Sequence, residues 1–346
     1  MALTVLYCST CEKRFDLAEP PAGRRVRCAG CGCPLSDDSD EWGPRGRDDK
    51  RFRKREIGGA RLRKKVVATP WSVIYSGREK RHKMPVLVEI FPHERANYEE
   101  EQIVRLLRGV AEGSEIQHPN VINVLNVGRR EELDFIVAEK VENSSMRRVM
   151  GQGQRLSTGQ VYPIAEDILR ALEVAERRGL AHGRISPDVI LRDYNGAAKL
   201  AHFGRPFLPG ELEDFRVIED RTLRGPCYYI APEQVGDPDC AGVKGDLYSL
   251  GLTLLEMFCG RVPFQGKSAR EIMDARCERK PFRLHSERPD LPEELDQLIG
   301  RLTSTDPEDR PDSASEVLSR LRSIGLEKSR RPDEGEPELH ESSGEE

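Results

Sequence analysis

The sequence predicts an α+β protein in which a strand-rich first half gives way to a helical second half, behind a small metal-bound module at the N-terminus. Three observations carry this. Two Cys-x-x-Cys pairs, Cys8/Cys11 and Cys28/Cys31, are separated by 16 residues near the start of the chain. Short apolar and β-branched runs divided by polar turns follow between residues 62 and 138, as strands require. From residue 156 the apolar positions recur at helical spacing instead, and several of those runs are long enough to be helices.

Composition bounds what such a chain can be. Its 346 residues leave room for one large domain and a small appendage. With 37% hydrophobic and 33% charged residues it reads as a soluble protein, and a net charge of only −5 gives the whole molecule no general attraction for nucleic acid or an anionic membrane. The first six residues lack the basic start of a signal peptide. The most apolar run, residues 247–259, is too short for a membrane span and carries Glu256. Five of the nine cysteines fall between Cys8 and Cys33 and the rest are scattered. That distribution favours metal-bound thiols in a reducing cytoplasm over a disulfide framework.

Taken in order, residues 1–35 have the ligand spacing of a zinc ribbon, with Cys8, Cys11, Cys28 and Cys31 as the thiolates and Cys33 as a spare. A segment this short buries too little to fold alone, so zinc would supply the folding free energy. Lys13, Arg14, Arg24, Arg25 and Arg27 form either a solvated surface or a small phosphate-contacting face. Residues 36–60 are a linker of mixed charge. Strands are predicted over 62–68, 72–76, 85–91, 121–127 and 133–138, with a helix over 98–116 marked by Ile103, Leu106, Leu107 and Val110. A helix over 156–178 begins at Ser157 or Thr158 as N-cap and stops at Gly179. Asn195-Gly196 is a hairpin turn before a short strand at 198–201. An apolar helix follows near residue 250, then a last amphipathic one through Val317, Leu318, Leu321 and Ile324; the acidic tail, 326–346, is expected to lack a fold.

The stretch His182-Gly183-Arg184-Ile185-Ser186-Pro187-Asp188-Val189-Ile190-Leu191, followed by His202-Phe203-Gly204, resembles the catalytic and magnesium loops of Hanks-type serine/threonine protein kinases. Ala231-Pro232-Glu233, Asp246 and Arg310 extend the resemblance over about residues 61–325. It implies a bilobal protein-kinase-like fold, the N-lobe at 61–138, a hinge at Glu139, Lys140 and Val141, and the C-lobe at 143–325. His182, Phe203, Gly204, Glu233, Asp246 and Arg310 would hold the framework, with Glu233 paired to Arg310.

The chemistry implied by the family is altered. Glu89 takes the place of the phosphate-binding Lys, Arg184 of the base Asp, Ser186 of the loop Lys, Val189 of the metal-binding Asn and His202 of the metal-binding Asp. Gly109 or Glu112 falls where the family's helix supplies a Glu partner for that Lys. From these departures the sequence predicts a pseudokinase, no enzyme, using neither ATP nor magnesium. It would act as a cytoplasmic interaction or regulatory protein of bacterial type, and its partner would be a protein such as an active kinase or that kinase's substrate. An atypical kinase, and a nucleic-acid binder led by the ribbon, are the alternatives.

Overall fold

In a computed structural model of the chain, the described residues are 4–7, 14–17, 52, 55–68, 72–92, 99–130, 133–141, 145–151, 153–208, 226–235, 237, 240, 242–262, 264, 269–278 and 283–330. The N-terminal module contributes one antiparallel hairpin, β1 (Thr4–Tyr7) against β2 (Arg14–Leu17). The cysteines proposed as ligands lie outside the described residues, as do residues 331–346; the tail expected to lack a fold from 326 begins later, because the last helix runs on to Arg330.

A six-stranded sheet then forms one lobe. It comprises β3 (Glu56–Ile57), β4 (Ala60–Ala68), β5 (Val73–Glu79), β6 (Pro85–Pro92), β7 (Val124–Arg130) and β8 (Leu133–Glu139), in the order β3-β4-β5-β6-β8-β7. Alternation explains the burial along β5 and β6: Val73, Tyr75, Val86, Val88 and Ile90 share one face and one core, while Phe91 is buried in a second core on the other face. The predicted linker ran to residue 60, but the lobe starts earlier. Phe52 is buried edge-on against Tyr75, their ring centroids 6.1 Å apart, and β3 pairs with β4 from Glu56. One aromatic in a basic run carries no periodicity, which is why composition alone assigned it to the linker.

Helix α1 (Glu100–Gly113) packs across this sheet through Ile103, Leu106 and Val110 and starts with a Glu99/Gln102 capping box. It is shorter than the 98–116 expected. Strand β7 begins at Val124 rather than 121, because Val121 bridges to Leu200 in the other lobe.

The second lobe is helical. Short α2 (Met146–Met150) leads into α3 (Thr158–Glu176), capped by Ser157 with Gln160 and followed by Gly179 at φ +69°. The hairpin β9 (Ile190–Arg192) and β10 (Ala198–Leu200) precedes α4 (Val243–Cys259), whose side chains are buried on nearly every face. Around α4 gather α5 (Ala269–Glu278), α6 (Glu293–Leu302) and α7 (Ala314–Arg330). A single apolar core joins α3, α4, α6 and α7 to β9 and β10. Helices α2, α5 and α6 have no counterpart in the sequence reading.

Candidate functional site: the cleft between the lobes

The floor of the cleft hangs from α4. Asp246 accepts the backbone N–H groups of His182 and Gly183 at 2.6 and 2.7 Å, which fixes the turn that starts the 182–191 loop. The His182 ring accepts the Arg184 N–H at Nδ1, leaving Nε2 to donate to the Ala201 carbonyl at 2.6 Å. Burial, opposed by that carbonyl and reinforced by Arg184, pushes its pKa down to about 3, so the ring is neutral. Burial pushes Asp246 up to about 7 against its two backbone donors. His182 also packs edge-on against Phe203, 4.7 Å between centroids.

The segment after His202 then turns back under α1. Glycines make this approach feasible: a Cβ on Gly109 would stand 2.1 Å from the Gly204 carbonyl oxygen, and one on Gly204 would stand 1.9 Å from that of Gly109. Gly109 and, one turn on, Gly113 are therefore the α1 residues pressed against the 203–204 backbone, whereas Glu112 pairs with Arg108 on the exposed face at 3.1 Å. A carboxylate partner on α1 is absent from this contact, and another pair replaces it. Glu89 on β6 accepts from Arg205 Nη1 and from Ser72 Oγ, both at 2.6 Å, with Arg205 over the Phe91 ring. Both charged side chains are nearly inaccessible, at 9% and 12% exposure, so the pair is fixed in place rather than solvated.

Arg184 is equally committed. Its guanidinium lies 4.5 Å from the Phe207 ring centroid and reaches the carbonyls of Arg205 and Pro206 at 3.4 Å. Ser186 and Val189 are buried in the loop, the Val189 carbonyl accepting from Ala201. His202 has φ +73°, a left-handed conformation uncommon outside glycine. Its imidazole keeps open surface, yet the crowded cleft strips water from it, and Arg205 and Arg184 add their charge, so its pKa lies well below the usual range. The hinge is tied down too: Glu139 binds Lys199 at 2.6 Å, and the N–H groups of Glu139 and Lys140 go to Asn123 and Pro85. Val141 lies beside them, half-buried.

Asp188 and Asp193, the remaining acids of the loop, serve structure. Asp193 caps the hairpin by accepting from Asn195 and Ala197. Asp188 binds Arg147, which also meets Glu256 at 2.6 Å and the Tyr229 hydroxyl. Lower down, Arg310 makes a two-pronged contact with Glu233 at 2.7 and 2.9 Å beneath Tyr248. Sequence reasoning missed Arg205 and Arg147. The unbalanced charge of Glu89 on an apolar strand signalled the first, since a buried acid needs a cation; nothing in the linear pattern pointed to the second.

A comparison with protein families matches residues 70–320 to the one described as Protein kinase domain. The chain belongs to that family. Among curated proteins it is 29% identical over 254 residues to a probable serine/threonine-protein kinase of Clostridium perfringens, covering 73% of this chain and 36% of the relative. It is 27% identical over 237 residues to the serine/threonine-protein kinase PrkC of Bacillus subtilis, covering 68% and 36%. To PknL of Mycobacterium tuberculosis it is 26% identical over 263 residues, covering 76% and 65%. The chain thus spans little more than a third of the first two relatives' length.

These relatives correct one expectation. The altered cleft residues led the sequence reading to "no enzyme"; kinase-named proteins aligned over most of the domain point to an enzyme instead. The family's magnesium nevertheless finds no fitting cradle in the residues present. Positions 189 and 202 offer a valine and an imidazole with Arg184 and Arg205 close by, and among the described residues no group of three His, Cys, Asp or Glu is placed to hold a metal ion. No helix among the described residues is long and apolar enough to cross a membrane.

Proposed function

We propose that this protein acts in serine/threonine phosphosignalling as an atypical member of the kinase family whose cleft handles anions without magnesium. The observation that carries the reading is the Glu89–Arg205 pair. It occupies the place where the family pairs a lysine with an acid from α1, and it reverses the polarity, with the cation arriving from the segment after Gly204. Arg184 lies where a dication would otherwise neutralise phosphate, whereas the charge of Arg205 is already met by Glu89. The framework beneath is that of the family, which supports a regulatory surface for protein partners. A zinc ion on Cys8, Cys11, Cys28 and Cys31 belongs to the same reading, supported by the spacing of the two pairs.

Melting the protein with ATP, with and without magnesium, tests the cleft, and labelled ATP with a protein substrate tests transfer. The reading expects any ATP-dependent rise in melting temperature to be the same in both conditions. A shift or a turnover that requires magnesium would sink it.

A further inference from the structure

The charge of this molecule is unevenly distributed, and the β3–β5 end of the sheet with its β5–β6 turn carries the excess. Between residues 55 and 83 stand nine Lys and Arg against two acids, in a chain whose overall charge is −5. Eight of the nine side chains are exposed and Lys65 is half-buried. Both acids are already engaged. Glu56 binds Lys80 at 2.6 Å, and the Glu79 carboxylate accepts the backbone N–H groups of Arg81 and His82. Glu56 also stands opposite Arg61 and feels its charge, so it offsets part of the excess and leaves the rest uncompensated.

The pairing of strands concentrates the charge further. Arg61 on β4 stands directly opposite Arg78 on β5, and Arg63 and Lys64 follow along β4. Like charges in facing positions cost stability; Glu56 opposite Arg61 and the Lys83 carbonyl that accepts from Arg78 relieve part of this cost, and an anion lying across the strands would relieve more. Strand β4 has nine residues and runs about 30 Å, long enough to follow several successive phosphates, which lie about 1.7 Å apart along a duplex axis when both strands are counted. Beyond Arg61, β4 has no outer neighbour in the sheet, since β3 pairs only at Glu56 and Ile57.

We propose that this β3–β5 face binds the sugar-phosphate backbone of duplex nucleic acid without reading its sequence. Five of the nine cations are arginines, whose planar forks match phosphate oxygens. Among the described residues the face has no aromatic to stack on bases: Phe52 and Tyr75 are both buried in the lobe. Contact is therefore with phosphates, which a duplex presents in regular order. A membrane surface fits less well, because among the described residues the exposed large apolar side chains here are Val66 and Val67, without the aromatic or long aliphatic anchors that insert into lipid. The proposal rests on residues remote from the cleft and stands apart from the reading of its chemistry.

The test uses the full chain and a fluorescein-labelled duplex of about 20 base pairs, as DNA and as RNA, with anisotropy read between about 50 and 200 mM salt. Binding is expected for both, with affinity falling linearly in the logarithm of salt. The variant Arg61→Gln/Arg63→Gln/Arg78→Gln removes three exposed cations and a repulsive pair, so its melting temperature is expected to hold or rise. Its salt slope should fall by roughly 2 to 3, with at least a tenfold loss of affinity at low salt. No duplex binding at low salt overturns the proposal. So does a triple variant that binds as tightly as the parent, which would move the site elsewhere on the chain. Retention on vesicles of phosphatidylserine and phosphatidylcholine, or on polyglutamate, with no duplex binding, would likewise replace nucleic acid by lipid or acidic protein.

Discussion

The framework of the helical lobe and the cleft above it both bury charge, but they resolve it differently. In the framework two buried arginines meet several partners of opposite or complementary kind. Arg147 holds Glu256, Asp188 and Tyr229, and Arg310 holds both oxygens of Glu233 together with three backbone carbonyls. In the cleft the ions are improvised from neighbouring segments: Glu89 takes Arg205 from the stretch after Gly204, and Arg184 rests on Phe207. The contrast teaches that a fold survives large changes in one region when another carries the redundant contacts. Removing a single partner should be felt most where redundancy is built in, because the others are then left buried and unpaired.

Arg147→Ala is the variant with the largest expected effect. It leaves Glu256 at 2% exposure without its cation, and a loss of about 3–5 kcal/mol in urea unfolding is expected. A loss below about 1 kcal/mol would erase the distinction between the two regions.

The turn at Asp246 gives a pH-dependent version. Its folded pKa, raised to about 7 from an unfolded value near 3.8, means the folded protein holds a proton that the unfolded chain gives up. This contribution is full at low pH and is lost as pH climbs from about 4 to 7. His182 runs the other way: its folded value near 3, against 6.5 unfolded, favours folding above that range and less so as pH falls through it. The two slopes oppose one another in the native protein. Asp246→Asn removes one, so the stability of the variant relative to the parent should improve by a few kcal/mol between about pH 4 and pH 7. A flat difference between the two unfolding curves would show that the Asp246 carboxyl is not buried as described.

Glu89 and Arg205 sharpen the cleft side. In a double-mutant cycle of Glu89→Gln and Arg205→Gln, a coupling of about 1–3 kcal/mol is expected from a pair this enclosed. A coupling near zero would mean that the pair is no more than a surface contact.

How much of this was legible in the sequence follows the same division. The framework could be read because its residues act locally or in fixed register. Gly179, Asn195-Gly196 and Ser157 state their turns and caps outright, and Glu233 with Arg310 was expected as a pair from the family motif. The loss of the usual residue types at 89, 184, 189 and 202 was also readable. What replaced them was not, since Arg205 reaches Glu89 across 116 positions of sequence and the contact depends on two glycines meeting at Gly109 and Gly204. Phe52 escaped for a related reason, its burial being decided by Tyr75 rather than by neighbours in the chain. The jump from altered residues to absent activity was the step that failed against the kinase-named relatives.

The smallest expected effect lies at His202, where the cleft meets the framework. With φ at +73°, its backbone occupies a region that costs a residue bearing a Cβ about 1 kcal/mol. The flanking Ala201 and Phe203 are buried, and Ala201 is bonded to the Val189 carbonyl, so the chain cannot relax to a negative φ without disturbing both. His202→Gly removes that penalty while adding freedom to the unfolded chain, which takes back part of the gain. A net stabilisation of roughly 0.5 kcal/mol is therefore expected, read as a small rise in urea midpoint at unchanged slope. Destabilisation by more than about 1 kcal/mol would show instead that the imidazole makes a contact worth more than the strain it carries, and that this corner of the cleft is built as redundantly as the lobe below it.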